Sequence, residues 1–136
     1  MTIRRIVEHP RDSEGNLRKF SWDLFEIVGK EVLGVETWEQ SYLTTFKRNV
    51  LPFAQGVASY VKSKYSIQET ELWRNLSSYQ RLEAAILLEQ GVSSEFPLQA
   101  CTGHWGARLI MVKAWYRGVI PEAEGNGFIT DGLVAY

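Results

Sequence analysis

A mainly α-helical single domain is what this sequence predicts, and three observations carry the prediction. Between Ser21 and Arg117 apolar residues recur three and four positions apart, the spacing that lines up one face of a helix. Ser21, Thr37 and Ser66 stand where helices begin, and Gly34 and Gly91 where they end. The chain has 136 residues, 45% hydrophobic and 23% charged, enough to bury a core without a disulfide or metal staple. The expected architecture is a compact bundle of about five helices with a small irregular or β edge formed by the N- and C-terminal segments. Residues 1–20 form an arm or hairpin, 21–117 the helical body and 118–136 a loop or strand tail.

Each element has its own signal. Pro10, Asp12, Ser13, Glu14, Gly15 and Asn16 make a dense turn between Ile6-Val7 and Leu17, read as a hairpin or an irregular arm. Ser21 N-caps a helix carrying Trp22, Phe25, Ile27, Val28 and Val32, with Gly34 as its C-cap. Thr37 and Gln40 have capping-box spacing for a second helix through Trp38, Tyr42, Leu43 and Phe46 to Val50. Pro52 interrupts it, because proline lacks an N–H and disfavours a helical residue before it. A further helix is expected from Phe53 to Tyr65.

Ser66 and Glu69 form a second capping box, opening a stretch from Ile67 to Gln90. Leu72, Leu76, Tyr79, Leu82, Ile86 and Leu87 lie on one broad face of it, and Ser77-Ser78 is a point where it would divide. Gly91 ends it. From His104 to Arg117 apolar residues lie nearly all round, which marks a buried central helix, with a strand from Leu109 to Tyr116 as the alternative. In the tail, Phe128, Ile129, Leu133 and Val134 would form a strand pairing with the arm.

Composition excludes several classes. Fifteen Lys and Arg face sixteen Asp and Glu, a net charge of −1, which argues against a nucleic-acid tail and against acidic disorder. No apolar run reaches the roughly 18 residues of a membrane span, and MTIRRIVEHP is not a signal peptide. A single cysteine makes no internal disulfide and points to a reducing cytoplasm. Five tryptophans in so short a chain imply a well-filled core with one or two left for an interface.

Two patterns carry candidate chemistry. Cys101 and His104, three apart with Arg108 one turn later, would supply a thiolate and its base, or two zinc ligands. The only other His or Cys is His9, so a four-ligand site is incomplete; a lone cysteine between apolar segments is ordinarily a small buried hydrophobe. Gly103 and Gly106 have the spacing of a nucleic-acid-clamping loop, but without a sheet pattern around them they read as the tight start of the buried helix. Residues 41–81 carry Lys47, Arg48, Lys62, Lys64, Arg74 and Arg81 against only Glu69 and Glu71, interleaved with rings such as Tyr42, Phe53, Tyr60 and Trp73. On one face, these would bind single-stranded nucleic acid; at helical spacing the rings read as core and the cations as solvated. From Leu82 to Ala100 the only charges are Glu83, Glu89 and Glu95, so the molecule is bipolar and suited to docking.

There is no GxGxxG after a strand, no Walker loop, no HExxH and no GxSxG. The expectation is a small cytoplasmic, non-enzymatic binding or accessory protein acting through protein–protein contact, with no cofactor or metal. Trp38, Trp73, Arg74 and Arg81 are its expected contact residues, since Trp and Arg dominate interface hot spots. Nucleic-acid binding through 41–81 is the first alternative, and a small enzyme using Cys101 and His104 the second.

Overall fold

Ser21 opens the first helix as its position predicts, its hydroxyl accepting the Asp23 N–H at 3.3 Å, and Gly34 closes that helix at φ +87°. The computed structural model describes residues 5–116. Within them the chain is mainly helical: α1 (Trp22–Leu33), α2 (Gln40–Lys64), α3 (Ser78–Val92) and α4 (Trp105–Trp115), joined in part by 3₁₀ turns at Trp73–Asn75, Leu98–Ala100 and Thr102–His104. No described helix is long and apolar enough to cross a membrane.

Four α-helices stand where about five were expected, because α2 runs through Pro52. Phe46, Val50, Ala54, Val57 and Val61 form one buried line on both sides of the proline. Pro52 itself faces solvent, where water can serve the carbonyl it leaves unpaired. Continuous burial outweighs one lost hydrogen bond. Neither expected capping box forms. Thr37 and Trp38 donate their N–H groups to Gly34 O at 3.1 and 3.0 Å in a turn, and α2 begins after Glu39. Ser66 has φ +54°, not the extended backbone of a cap.

The box appears later, between Ser77 and Gln80, with both reciprocal bonds at 3.1 Å. Ser77 is therefore the start of α3 rather than a split within it. Gly91 lies inside α3: a Cβ there would stand 2.0 Å from the Phe53 ring, so this glycine lets α2 and α3 approach.

Phe53 opposite Gly91 and Lys64 opposite Glu83 make α2 and α3 antiparallel. Trp22 against Phe46 and Gly29 against Trp38 do the same for α1 and α2. α4 packs against both α2 and α3, and its Trp105, Gly106, Ala107, Leu109–Val112, Ala114 and Trp115 are all buried. It is the central helix, not a strand.

Aromatic rings gather at both ends of α4. Phe25, Phe46, Phe96 and Trp105 meet at one end, Phe46 stacking on Phe96 with centroids 4.1 Å apart; Trp73 meets Trp115 edge-on at 5.4 Å at the other.

The arm lies on the body. Asp12 N–H bonds Asn16 O at 2.8 Å and Arg18 N–H bonds Pro10 O at 2.9 Å, a small loop turned by Gly15 at φ +86°. Val7 pairs with Cys101 and Arg11 with Leu17, as isolated bridges rather than a sheet. The expected strand at Phe128–Val134 falls outside the described residues.

Candidate docking face and polar cluster

The basic residues of 41–81 do not gather on one face. A helix turns about 100° per residue, so Lys47, Arg48 and Lys64 leave α2 in three directions. The Lys47 Nζ lies 5.6 Å from the Trp22 ring. Lys64 pairs with Glu83 at 2.8 Å. Arg48 and Arg74 are exposed. Arg81 is half-buried on α3, near Arg108.

Lys62 is 4% exposed and is not on a solvated face at all. It donates to Trp115 O at 2.8 Å and Glu69 at 3.3 Å, with its Nζ 4.5 Å above the Trp115 ring.

Both tryptophans expected at a contact surface are drawn inward. Trp73 is fully buried beneath Trp115. Half-buried Trp38 lays its ring on Gly29, where any Cβ would lie 2.1 Å away.

What stays outside is a face made by α2 and α3. Tyr42, Asn49, Phe53, Gly56 and Tyr60 follow one another along α2, all exposed and all uncharged. On α3 the core side is Ala84, Ala85, Leu88, Glu89 and Val92. Of the broad apolar face expected here, Leu76 is buried and Leu72 and Leu87 pack against the core, whereas Leu82 and Ile86 are partly covered and Tyr79 is 68% exposed. Small alanines let α3 lie close to α4, which turns Tyr79 away.

A groove of about 350 Å³ runs between the helices, lined by Phe53, Gly56, Val57, Tyr60 and Leu87. A hollow of about 170 Å³ adjoins it through Leu87, lined also by Tyr79, Leu82, Glu83 and Ile86. The charge in that hollow, Glu83, is committed to Lys64 and to the Tyr65 hydroxyl. Lys64 first and Tyr65 second hold the Glu83 carboxyl below its usual range, and Glu83 in turn pushes the Tyr65 hydroxyl up. The signal for this face was in the sequence: α3 is apolar on two sides, and only one can face the core.

A second cluster lies at the start of α4. Glu89, 1% exposed, accepts a fork from Arg5, with Nη2 at 2.8 Å and Nη1 at 3.1 Å. Arg5 also reaches the carbonyls of Gln99 and Cys101. The His104 Nδ1 is 3.0 Å from each Glu89 oxygen, so Nδ1 carries a proton and Nε2 points away from the carboxylate. Sequence reasoning placed Glu89 in an acidic region and missed this contact.

Cys101 does not pair with His104. Its thiol is buried and pushed up to about 12, chiefly by that burial, while the Gly106 N–H bonds to it. A Cβ on Gly106 would stand 2.8 Å from the Cys101 Sγ, so the second glycine of the loop serves packing. Trp105 is also turned in, donating Nε1–H to Val7 O at 2.8 Å. Among the described residues no three His, Cys, Asp or Glu side chains gather to hold a metal. Compared with protein-family models, curated proteins and solved structures, the chain matches none of them.

Proposed function

We propose that this is a small, non-enzymatic binding or accessory protein that acts through protein–protein contact, with the α2/α3 face as its contact surface. The observation that carries this reading is the uncharged line Tyr42–Phe53–Tyr60 beside exposed Tyr79 and the partly covered Ile86 and Leu87. Water-exposed rings and aliphatic side chains gain about 25 cal/mol per Å² when covered, and tyrosines are frequent anchors of binding energy. From Tyr42 to Tyr60 the line extends about 27 Å at 1.5 Å per residue. That length and the groove beside it suit a partner helix with apolar anchors at successive turns. The Lys64–Glu83 pair supplies a polar rim at one end. A buried thiol with no disulfide partner fits a reducing, cytoplasmic setting.

The test is stoichiometric co-purification from producing cells, comparing two substitutions on this face with one outside it. Tyr60→Glu and Tyr79→Glu change exposed residues and should move stability by no more than about 0.5 kcal/mol. They should abolish the complex, and Arg48→Glu should leave it intact. A complex that survives both face variants overturns the reading. Exposed Lys47, Arg48 and Arg74 keep a nucleic-acid reading in view. Tryptophan fluorescence that saturates with single-stranded oligonucleotide at low salt and fades near physiological salt would favour it instead.

A further inference from the structure

The start of α4 holds two polar groups whose outer atoms the fold leaves unused. His104 is fixed through Nδ1 on Glu89, and its Nε2 has no hydrogen-bond partner among the described residues. Arg108, one turn later, folds back so that Nε donates to Gly103 O at 3.1 Å. Its two terminal nitrogens make no hydrogen bond among the described residues. That one bond sets the guanidinium against the backbone of the residue before His104. Nothing lies within 4 Å of a Cβ built on Gly103, so the loop is open to an approaching molecule.

Among the described residues, two charged side chains act on Arg108, Glu89 and Arg81. Glu89 is the one described carboxylate acting on Arg108, and it is already engaged by the Arg5 fork. Burial first, and repulsion from Arg81 second, hold Arg108 below the ordinary guanidinium value. These cations stand at the helix end whose dipole is itself positive. The backbone is also held in an unusual shape, with Gly103 at φ 59° and His104 at φ 63°. A non-glycine residue there costs on the order of 1 kcal/mol, and the bond to Glu89 fixes the ring in return.

We propose that His104 and Arg108 form a binding site for a phosphate-type oxyanion, inorganic phosphate or a phosphomonoester. The Arg108 fork donates two parallel N–H bonds to two oxygens. His104, held through Nδ1 by Glu89, meets a third oxygen or hydroxyl of the anion at Nε2. A tetrahedral anion uses all three directions, whereas a planar carboxylate uses the fork alone.

The chain has two histidines, so each imidazole can be followed by NMR during titration with sodium phosphate. The His104 signals should shift saturably, those of His9 should move little, and sodium chloride at matched ionic strength should not reproduce the change. Methyl phosphate should act like phosphate, and acetate should bind at least tenfold more weakly. Arg108→Gln should raise the phosphate Kd at least tenfold. A linear response that chloride matches, acetate binding as tight as phosphate, or an unchanged titration in Arg108→Gln each overturns the proposal. If Arg108→Gln does not fold, the melting temperature of the unaltered protein decides. A rise with phosphate beyond that with chloride supports the site, and no such rise overturns it.

Discussion

The two ends of α4 place cations at opposite poles of one helix. At the C-terminal end Lys62, almost fully buried, donates to Trp115 O and lies over the Trp115 ring. Its charge there agrees with the helix dipole and satisfies a carbonyl that has no partner within the helix. Trp73, Trp115 and Tyr116 seal the site, the Tyr116 hydroxyl accepting the Trp73 N–H at 3.0 Å. At the N-terminal end Arg5 and Arg108 stand against the dipole, with His104 beside them on Glu89, the one described carboxylate there. One end is complete as it stands; the other has donors to spare. The difference teaches where to look for function: a cation that agrees with its helix serves the fold, and cations that oppose it call for an anion.

The largest effect should come from the sealed end. Trp73→Ala removes a fully buried ring from contact with Trp115 and should cost about 3–5 kcal/mol, read from urea denaturation. A loss under about 1 kcal/mol would mean that the end is loosely packed and the comparison false.

Glu89→Gln comes next, at about 2 kcal/mol. It takes the charge from a buried group that holds both Arg5 and His104, although Arg5 is 37% exposed and keeps part of its hydration. Lys62→Met should cost less, about 1 kcal/mol, because an apolar chain of similar shape fills the space and only the bonds to Trp115 O and Glu69 are lost. A larger cost for Lys62→Met than for Glu89→Gln would reverse the ranking of the two ends.

Two smaller effects sharpen the N-terminal end. With its thiol near 12 and buried, Cys101 should resist iodoacetamide between about pH 7 and 9 in the native state, although a free thiol has a pKa near 8.5. It should react once the chain is unfolded in urea; rapid native labelling would return it to chemistry. His9 stacks on Trp105 with centroids 4.8 Å apart, and burial holds its pKa below the ordinary imidazole value. A depressed folded-state pKa means that the unfolded chain binds the proton more readily. The contribution of His9 is therefore complete above about pH 6.5 and is lost as pH falls through the folded-state value. Melting temperatures of His9→Phe should accordingly vary less with pH over that interval than those of the unaltered protein.

Local chemistry in the sequence foretold some of this and not the rest. The Ser21 cap, the Gly34 stop and the all-round apolar α4 depend on neighbours a few residues apart, and they form as read. Pro52 also looks local, yet its effect is decided by what the rest of α2 buries against α3 and α4. The facing of α3 was legible only in part: Leu87 packs against the core, but Tyr79 does not, and the close approach of α4 selects alanines. His104 was legible as a polar residue near a helix start. Its true partner was not, since Glu89 lies fifteen residues away on another helix.

The central claim is that the uncharged α2/α3 face, rather than the basic residues of 41–81, meets the partner. The most direct measurement places a photo-crosslinking amino acid at Tyr60 in one protein and at Arg48 in another, in cells producing each. Tyr60 should give one discrete crosslinked protein that Arg48 does not. Crosslinks from Arg48 to protein or nucleic acid, with none from Tyr60, would contradict the account.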